Sequence, residues 1–538
     1  MTIEYGPELH PLATAPLASN TATPALTLPT ASLVKTQNPP APATTVISKV
    51  ITGDNRIDPL IDDASYRLNE SAAPGSPVKV TFSFPSTVPS TYTGDDALGW
   101  QPFSEAQKAA TREILNLLQQ ETGLSFEEVT ESATVSGTMR FGNNKQTDSA
   151  GYAFLPNSTK TDRDADTWIA SGENTPVVKG DYAWQTLVHE IGHAIGLNHP
   201  GNYNAGESRN VDVAGNFLSA DEDAFFNSIM SYRQSAQDIN DIWFMPYDML
   251  TLRYLYGKTA FAAGNSSYAY TDASGTVVAN IVDDGGVDTL DFSAVTVGVA
   301  VNLTPGAYSS VGKTASGDRA LANLTTSFDA VIENVIGTAA DDTILGNAAN
   351  NTITGGGGDD NINGGAGVDI AVYQGARAGH TLTLADGKVT VSGGGDGTDT
   401  LTNVERLKFS DVNVALDLAG SAGQVAKLLG AVFGAAAVNN KQYVGIGLSL
   451  LDTGTTYEQL AALAVGVTGT TTPAGVVNLL WTNLFGSAPT ADQAAPYVAM
   501  LNGSISVGGL TVLAADLELN TGHINLVGLA TTGIEYLG

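Results

Sequence analysis

Three of the chain's six histidines fall within eleven residues, in the run HEIGHAIGLNHP from His189 to Pro200. His189 and His193, four apart, project from one face of a helix. Gly196 lets the chain leave that helix, so His199 can return as a third nitrogen ligand. Three neutral imidazoles leave one position of a tetrahedral zinc open to water, which is the catalytic arrangement and not the closed structural one. Glu190, beside the first ligand, is placed to take that water's proton. A buried amphipathic helix with satisfied histidines would not require the complete H-E-x-x-H-x-x-G-x-x-H spacing. The implied chemistry is hydrolysis at a metal. About thirty residues past His199 comes SIMSYR, Ser228 to Arg233. There Met230 can pack as an apolar floor beneath the histidines, and Tyr232 can aim a hydroxyl at the metal or at a developing oxyanion. His10 could block the zinc in a latent form but reads by base rate as idle, and His523, with no partner at metal-ligand spacing, reads as structural.

These side chains need a scaffold. Asp181 is a good N-cap for a zinc helix running to about Leu197, with Trp184, Leu187, Val188, Ile191 and Ile195 on its buried side. Val78, Val80, Phe82 and Phe84 alternate as a strand that stops at Pro85. Ser104 and Gln107 form a capping box ahead of a stripe of Ala106, Ala110, Ile114, Leu117 and Leu118, which ends at Gly123. Thr138 to Phe141 is a further strand. Asp166 to Ala170 could be an exposed edge strand, to which an extended peptide could add by main-chain hydrogen bonds, while Trp168 could equally be ordinary core. Residues 1 to about 50 are rich in Ala, Thr, Pro, Leu and Ser without periodicity, and read as a flexible leader or pro-segment.

Between residues 337 and 372 the chain repeats every nine residues, with frames beginning at Gly337, Gly346, Gly355 and Gly364. The third frame, GGGGDDNIN, fits G-G-x-G-x-D-x-U-x in full. Glycines give tight loops with inward carbonyls, aspartates add hard oxygen ligands, and each short apolar strand buries one side chain in a parallel β-roll. Calcium is then expected between loops eighteen residues apart, pairing Asp342 with Asp360 and, more weakly, Asn351 with Asp369. Beyond about residue 415 the chain turns apolar and alanine-rich, in segments that read as short helices between Gly and Pro.

At 538 residues the chain is too long for one core. Its 43% hydrophobic content excludes global disorder. A formal charge of -31 argues against nucleic acid and anionic membranes as partners. Absence of cysteine removes disulfides and any thiolate-ligated zinc. The start, MTIEYGPELH, is a poor signal peptide, and no apolar run reaches the length of a transmembrane segment.

The extended zinc motif, Met230, Tyr232 and the glycine-aspartate frames together resemble the serralysin-like zinc metalloproteases of the metzincin clan, with RTX calcium-binding repeats. The resemblance spans roughly residues 75 to 415. It implies an α+β metzincin catalytic domain followed by a parallel β-roll and a small, mostly helical C-terminal domain. The segments would be a leader at 1–70, the catalytic domain at 71–260, the roll at 261–415 and the helical domain at 416–538. It also implies Zn2+ and Ca2+ as cofactors, protein or peptide substrates, and Glu190 and Tyr232 as catalytic residues with Met230 structural. Flanking turns that bind calcium in such chains nominate Asp283, Asp288, Asp396 and Asp399. Secretion from a Gram-negative bacterium through a type I apparatus follows from the same likeness. The C-terminal extension departs from the family and is open to surface anchoring, partner binding or carriage of the export signal. Two competing readings are a calcium-dependent surface-associated binding protein with a vestigial peptidase domain, and a protease dedicated to processing one surface protein.

Overall fold

A computed structural model describes residues 51–147, 149–172, 177–201, 217–219, 221–233, 239–385 and 387–538. The expected leader lies outside them as far as residue 50, His10 included. The described chain divides into two units, one of residues up to 288 with 304–331, the other of 289–303 with 332–538. This division is coarser than the four segments expected from sequence.

In the first unit, β1 (Val78–Ser83), β2 (Leu124–Glu128), β3 (Met139–Asn144), β4 (Gly151–Ala153) and β5 (Thr167–Ala170) form a sheet in the order β2-β1-β3-β5-β4. β2, β1, β3 and β5 pair parallel, β4 runs antiparallel to β5 at the edge, and a two-residue sixth strand, Gln101–Pro102, runs antiparallel to β3. The segment expected at the edge, Asp166 to Ala170, is therefore interior. Its strand has partners on both sides and is buried throughout, with Trp168 stacked on Tyr152 at 4.9 Å. Period-2 alternation cannot distinguish the two positions, because sheet order is set by long-range pairing.

Three helices complete this unit. Helix α1 (Glu105–Glu121) starts at the expected capping box, with Gln107 N–H donating to Ser104 Oγ at 3.2 Å and Ser104 N–H to Gln107 Oε1 at 2.9 Å. Ala106 is exposed, and Gln107 takes the inward position, bonded to Asn143 of β3 at 2.8 Å. Helix α2 (Tyr182–Ala194) is capped by Asp181, whose carboxylate accepts from Trp184 N–H at 2.8 Å. It ends three residues before the expected Leu197. Helix α3 (Pro246–Tyr256) begins with proline at its first position, where the missing N–H costs nothing. The described part of the expected leader, from residue 51, is packed: Ile57, Leu60 and Ile61 join the core, and Leu60 carbonyl accepts from Asn198 N–H at 2.8 Å.

The second unit begins with two parallel sheets between which the chain alternates. One contains Thr289–Ala294, Asn334–Ile336, Thr352–Thr354, Ile370–Val372 and Arg406–Lys408; the other contains Ala300–Asn302, Thr343–Leu345, Asn361–Asn363 and Thr398–Thr402. Each three-residue strand buries its central side chain: Val335, Ile344, Ile353, Ile362 and Ala371. Loops two frames apart stack closely enough that a Cβ at Gly346 would lie 1.8 Å from Gly364 carbonyl, which is why the frames open on glycine. Helices follow from Ser421 to Thr532 around a separate apolar core. The final strand, Ile534–Tyr536, returns to pair antiparallel with Asn413–Ala415. No helix among the described residues is long and apolar enough to cross a membrane.

Candidate metal centre

Helix α2 carries His189, Glu190 and His193, all buried. Gly196 follows with φ +105, and a side chain there would meet Tyr66 carbonyl at 2.7 Å, so the turn that returns His199 requires glycine. His189 Nδ1 lies 2.8 Å from Ile229 carbonyl and His193 Nδ1 2.7 Å from Leu197 carbonyl. A carbonyl can only accept, so both Nδ1 atoms carry the ring proton and both Nε2 atoms present lone pairs. These point at His199 Nε2, at 3.3 Å from His189 and 3.1 Å from His193.

With His199 Nε2 likewise deprotonated, three lone pairs converge, an arrangement that a bound cation neutralises. A tetrahedron with Zn–N bonds of about 2.0–2.1 Å has edges of about 3.3–3.4 Å, close to both separations. The donor set therefore fits zinc. Among the described residues these histidines are the only group of three or more His, Cys, Asp or Glu ligand atoms within 4.8 Å of one another.

Burial pushes His189 down to about 4 and His193 well below the ordinary histidine value, which favours the neutral, ligating form. It pushes Glu190 well above the ordinary carboxylate value. Neither Glu190 oxygen has a hydrogen-bond partner among the described residues, so this buried carboxyl calls for a partner from outside the protein, whether solvent, ion or reactant. Gly151 of the edge strand β4 makes room for it: a Cβ there would stand 2.9 Å from Glu190 Cγ and 3.0 Å from Oε1. The sheet edge beside the Glu190 carboxyl is therefore β4 and not the segment Asp166 to Ala170.

Met230 is fully buried beneath α2, its sulfur 2.7 Å from where a Cβ on Gly192 would sit. The Tyr232 ring lies 4.5 Å from the His199 ring and 6.0 Å from that of His189, centroid to centroid. The turn between them is held by a residue absent from the sequence reading. Buried Asp248, in the first turn of α3, accepts from Ser228 Oγ at 2.6 Å, Ile229 N–H at 2.7 Å and Met245 N–H at 2.9 Å. It thereby fixes Ile229, whose carbonyl orients His189. Burial pushes Asp248 up to about 7 although all three donors pull it down. In sequence it is an ordinary acid after an N1 proline, which helix polarity already explains. Only burial marks it out. Asp223, likewise buried, accepts from Ser231 Oγ at 2.7 Å.

The calcium candidates fall into separate groups. On one edge of the repeats Asp342 N–H donates to Asp360 Oδ1 at 2.8 Å, and Asp360 N–H to Asp399 Oδ1 at 3.1 Å. On the other, Asn351 N–H donates to Asp369 Oδ1 at 2.7 Å, and Asp369 N–H to Glu405 at 2.9 Å. The eighteen-residue pairing is as the repeat period requires, whereas Glu405 lies outside any frame and was not foreseen. Asp360 Oδ2 and Asp369 Oδ2 are buried without hydrogen-bond partners among the described residues. Burial raises Asp360 to about 7 and Asp369 and Asp399 to about 6. The Asn351 amide instead donates to the carbonyls of Ile332 and Glu333, at 3.3 and 3.1 Å, satisfying inward oxygens by itself. Asp283 accepts from Tyr268 at 2.6 Å and neighbours Asp288, its carboxyl raised to about 6 by burial. Asp396 stands apart, 3.0 Å from His380 Nε2.

The model for metallo-peptidase family M12 matches residues 56–243, and that for the serralysin C-terminal region of peptidase family M10 matches residues 251–429. Metalloprotease AprA of Pseudomonas entomophila is 28% identical over 311 residues, covering 52% of this chain and 62% of that protein. Serralysin C of Dickeya chrysanthemi is 32% identical over 293 residues, covering 50% and 58%. The chain thus spans about three-fifths of the length of these curated relatives. A solved structure of myroilysin matches 29% of this chain and 52% of its own at 13% identity, with a TM-score of 0.16, too low to bear on the fold.

Proposed function

We propose, from the premise that this chain is a serralysin-like metzincin sequence, that it is a secreted zinc endopeptidase that hydrolyses peptide bonds in proteins. The observation that carries the reading is the convergence of three Nε2 atoms beside a buried carboxyl that no other described residue engages. His189, His193 and His199 would hold the metal. Zinc, when bound, supplies a Lewis acid for the peptide carbonyl and makes water acidic enough to attack at neutral pH.

The protein's own groups do the rest. The β4 edge beside Glu190 offers main-chain hydrogen bonds to an extended substrate. Glu190 takes a proton from the attacking water and returns it to the nitrogen that leaves as the C–N bond breaks. Tyr232 supports the oxyanion with its hydroxyl, and Met230 and Asp248 hold the turn that carries it. Calcium in the glycine-aspartate repeats, with Asp342, Asp360, Asp369 and Asp399 as ligands, belongs to the same reading. The unpartnered oxygens of Asp360 and Asp369 support it.

Cleavage of unfolded casein by purified, zinc-loaded protein is the test, with Glu190→Gln alongside. The expected result is turnover by the parent and none by the variant, with equal zinc content. Equal cleavage by both would remove Glu190 from the mechanism. Cleavage by neither would return the chain to the binding-protein reading.

A further inference from the structure

The turn that leaves α2 serves two ligands at once. Its Leu197 carbonyl fixes the His193 ring, and two residues later it delivers His199. Within the turn, Gly196 N–H donates to His193 carbonyl and Leu197 N–H to Gly192 carbonyl, each at 2.9 Å. Ile195 carbonyl and Asn198 N–H are engaged from outside it. Tyr256, the fully buried last residue of α3, donates its hydroxyl to Ile195 carbonyl at 2.6 Å and accepts from Leu68 N–H at 3.1 Å. Leu60 carbonyl accepts from Asn198 N–H at 2.8 Å. A Cβ on Gly196 would come within 3.5 Å of the Tyr256 hydroxyl, so turn and phenol are in close contact.

The upstream segment is itself anchored. Leu60 and Ile61 are buried in the core, and the Asn69 amide donates to Leu255 carbonyl at 2.9 Å, one residue before Tyr256. Asp58 closes the preceding loop by accepting from Thr52 N–H at 2.9 Å and Gly53 N–H at 3.0 Å. One phenol therefore joins the exit of α2, the end of α3 and a segment far upstream in the chain.

We infer that Tyr256 and residues 60–68 position the metal centre: they set the turn that fixes the His193 tautomer and delivers His199. Residues 60–68 then belong to the metal-binding unit and not to a leader. The inference rests on the zinc reading of the three histidines. Groups that orient ligands without touching the metal change its affinity by about 10–100-fold, and a group one bond further removed belongs at the lower end.

Tyr256→Phe keeps the ring and removes only the hydroxyl. Thr122→Val is its matched control at the end of α1. There the Thr122 hydroxyl likewise donates to a helix carbonyl, Leu118 at 2.6 Å, and accepts from a backbone N–H, Leu124 at 3.2 Å. Zinc affinity of the full-length proteins, read by competition with a chelating dye, should fall about tenfold in Tyr256→Phe and stay at the parent value in Thr122→Val. Parent affinity in Tyr256→Phe, or an equal fall in both variants, would overturn the inference. Should the parent bind no zinc, the metalloprotease reading fails separately and the metal-free proteins decide. Hydrogen exchange read by mass spectrometry over residues 195–199 should then be faster in Tyr256→Phe than in the parent or Thr122→Val. Equal rates would refute the positioning role.

Discussion

Asp248 touches no ligand, yet removing it should loosen the metal. Asp248→Ala leaves Ile229 N–H, Met245 N–H and Ser228 Oγ buried without their acceptor. Hydrogen bonds to a charged group contribute about 1.5–3 kcal/mol each, so three amount to roughly 4–9 kcal/mol. Against this stands relief from burying the carboxyl, whose rise to about 7 shows it is only partly ionised at neutral pH. Each donor left unpaired costs about 1–3 kcal/mol, so after that relief the net loss should be about 3–5 kcal/mol. For a folded unit of this size that lowers Tm by about 6–20 °C. Release of Ile229 also frees the carbonyl that fixes the His189 tautomer, and such indirect losses weaken metal binding about 10–100-fold. Thermal unfolding followed by circular dichroism, with zinc competition against a chelating dye, reads both quantities. Asp248→Ala melting within about 2 °C of the parent and holding zinc equally would refute the clamp.

The same carboxyl sets a pH dependence: its folded value of about 7 exceeds the unfolded value of about 3.9, so the folded state holds the extra proton in between. Its contribution is full below pH of about 4 and lost as pH rises through about 7, and Asp248→Asn should flatten the decline in Tm over that window. Chelation of calcium should unfold the glycine-aspartate strands before the metal-binding unit, because the Asp342, Asp360 and Asp399 carboxylates then repel one another. An unchanged far-ultraviolet dichroism spectrum in chelator would contradict that.

The convergence of His189, His193 and His199, with Glu190 and Met230 beside them and Tyr232 facing them, was legible in sequence because it depends on local spacing: a helical period of four and a glycine exit are properties of a short stretch, as is the nine-residue repeat. The same holds for the caps at Ser104 and Asp181. Which strand lies at the sheet edge was not legible, since Thr167–Ala170 and Gly151–Ala153 exchange places only through pairing with distant residues. Nor were Asp248 or Glu405, each an unremarkable residue until folding sets it against a backbone N–H far from it in the chain. Ligand identity is thus written in types and intervals along the sequence. The orientation of those ligands, the burial that tunes their protons and the room left beside them are decided by tertiary structure, because desolvation and packing depend on neighbours that only the fold brings together.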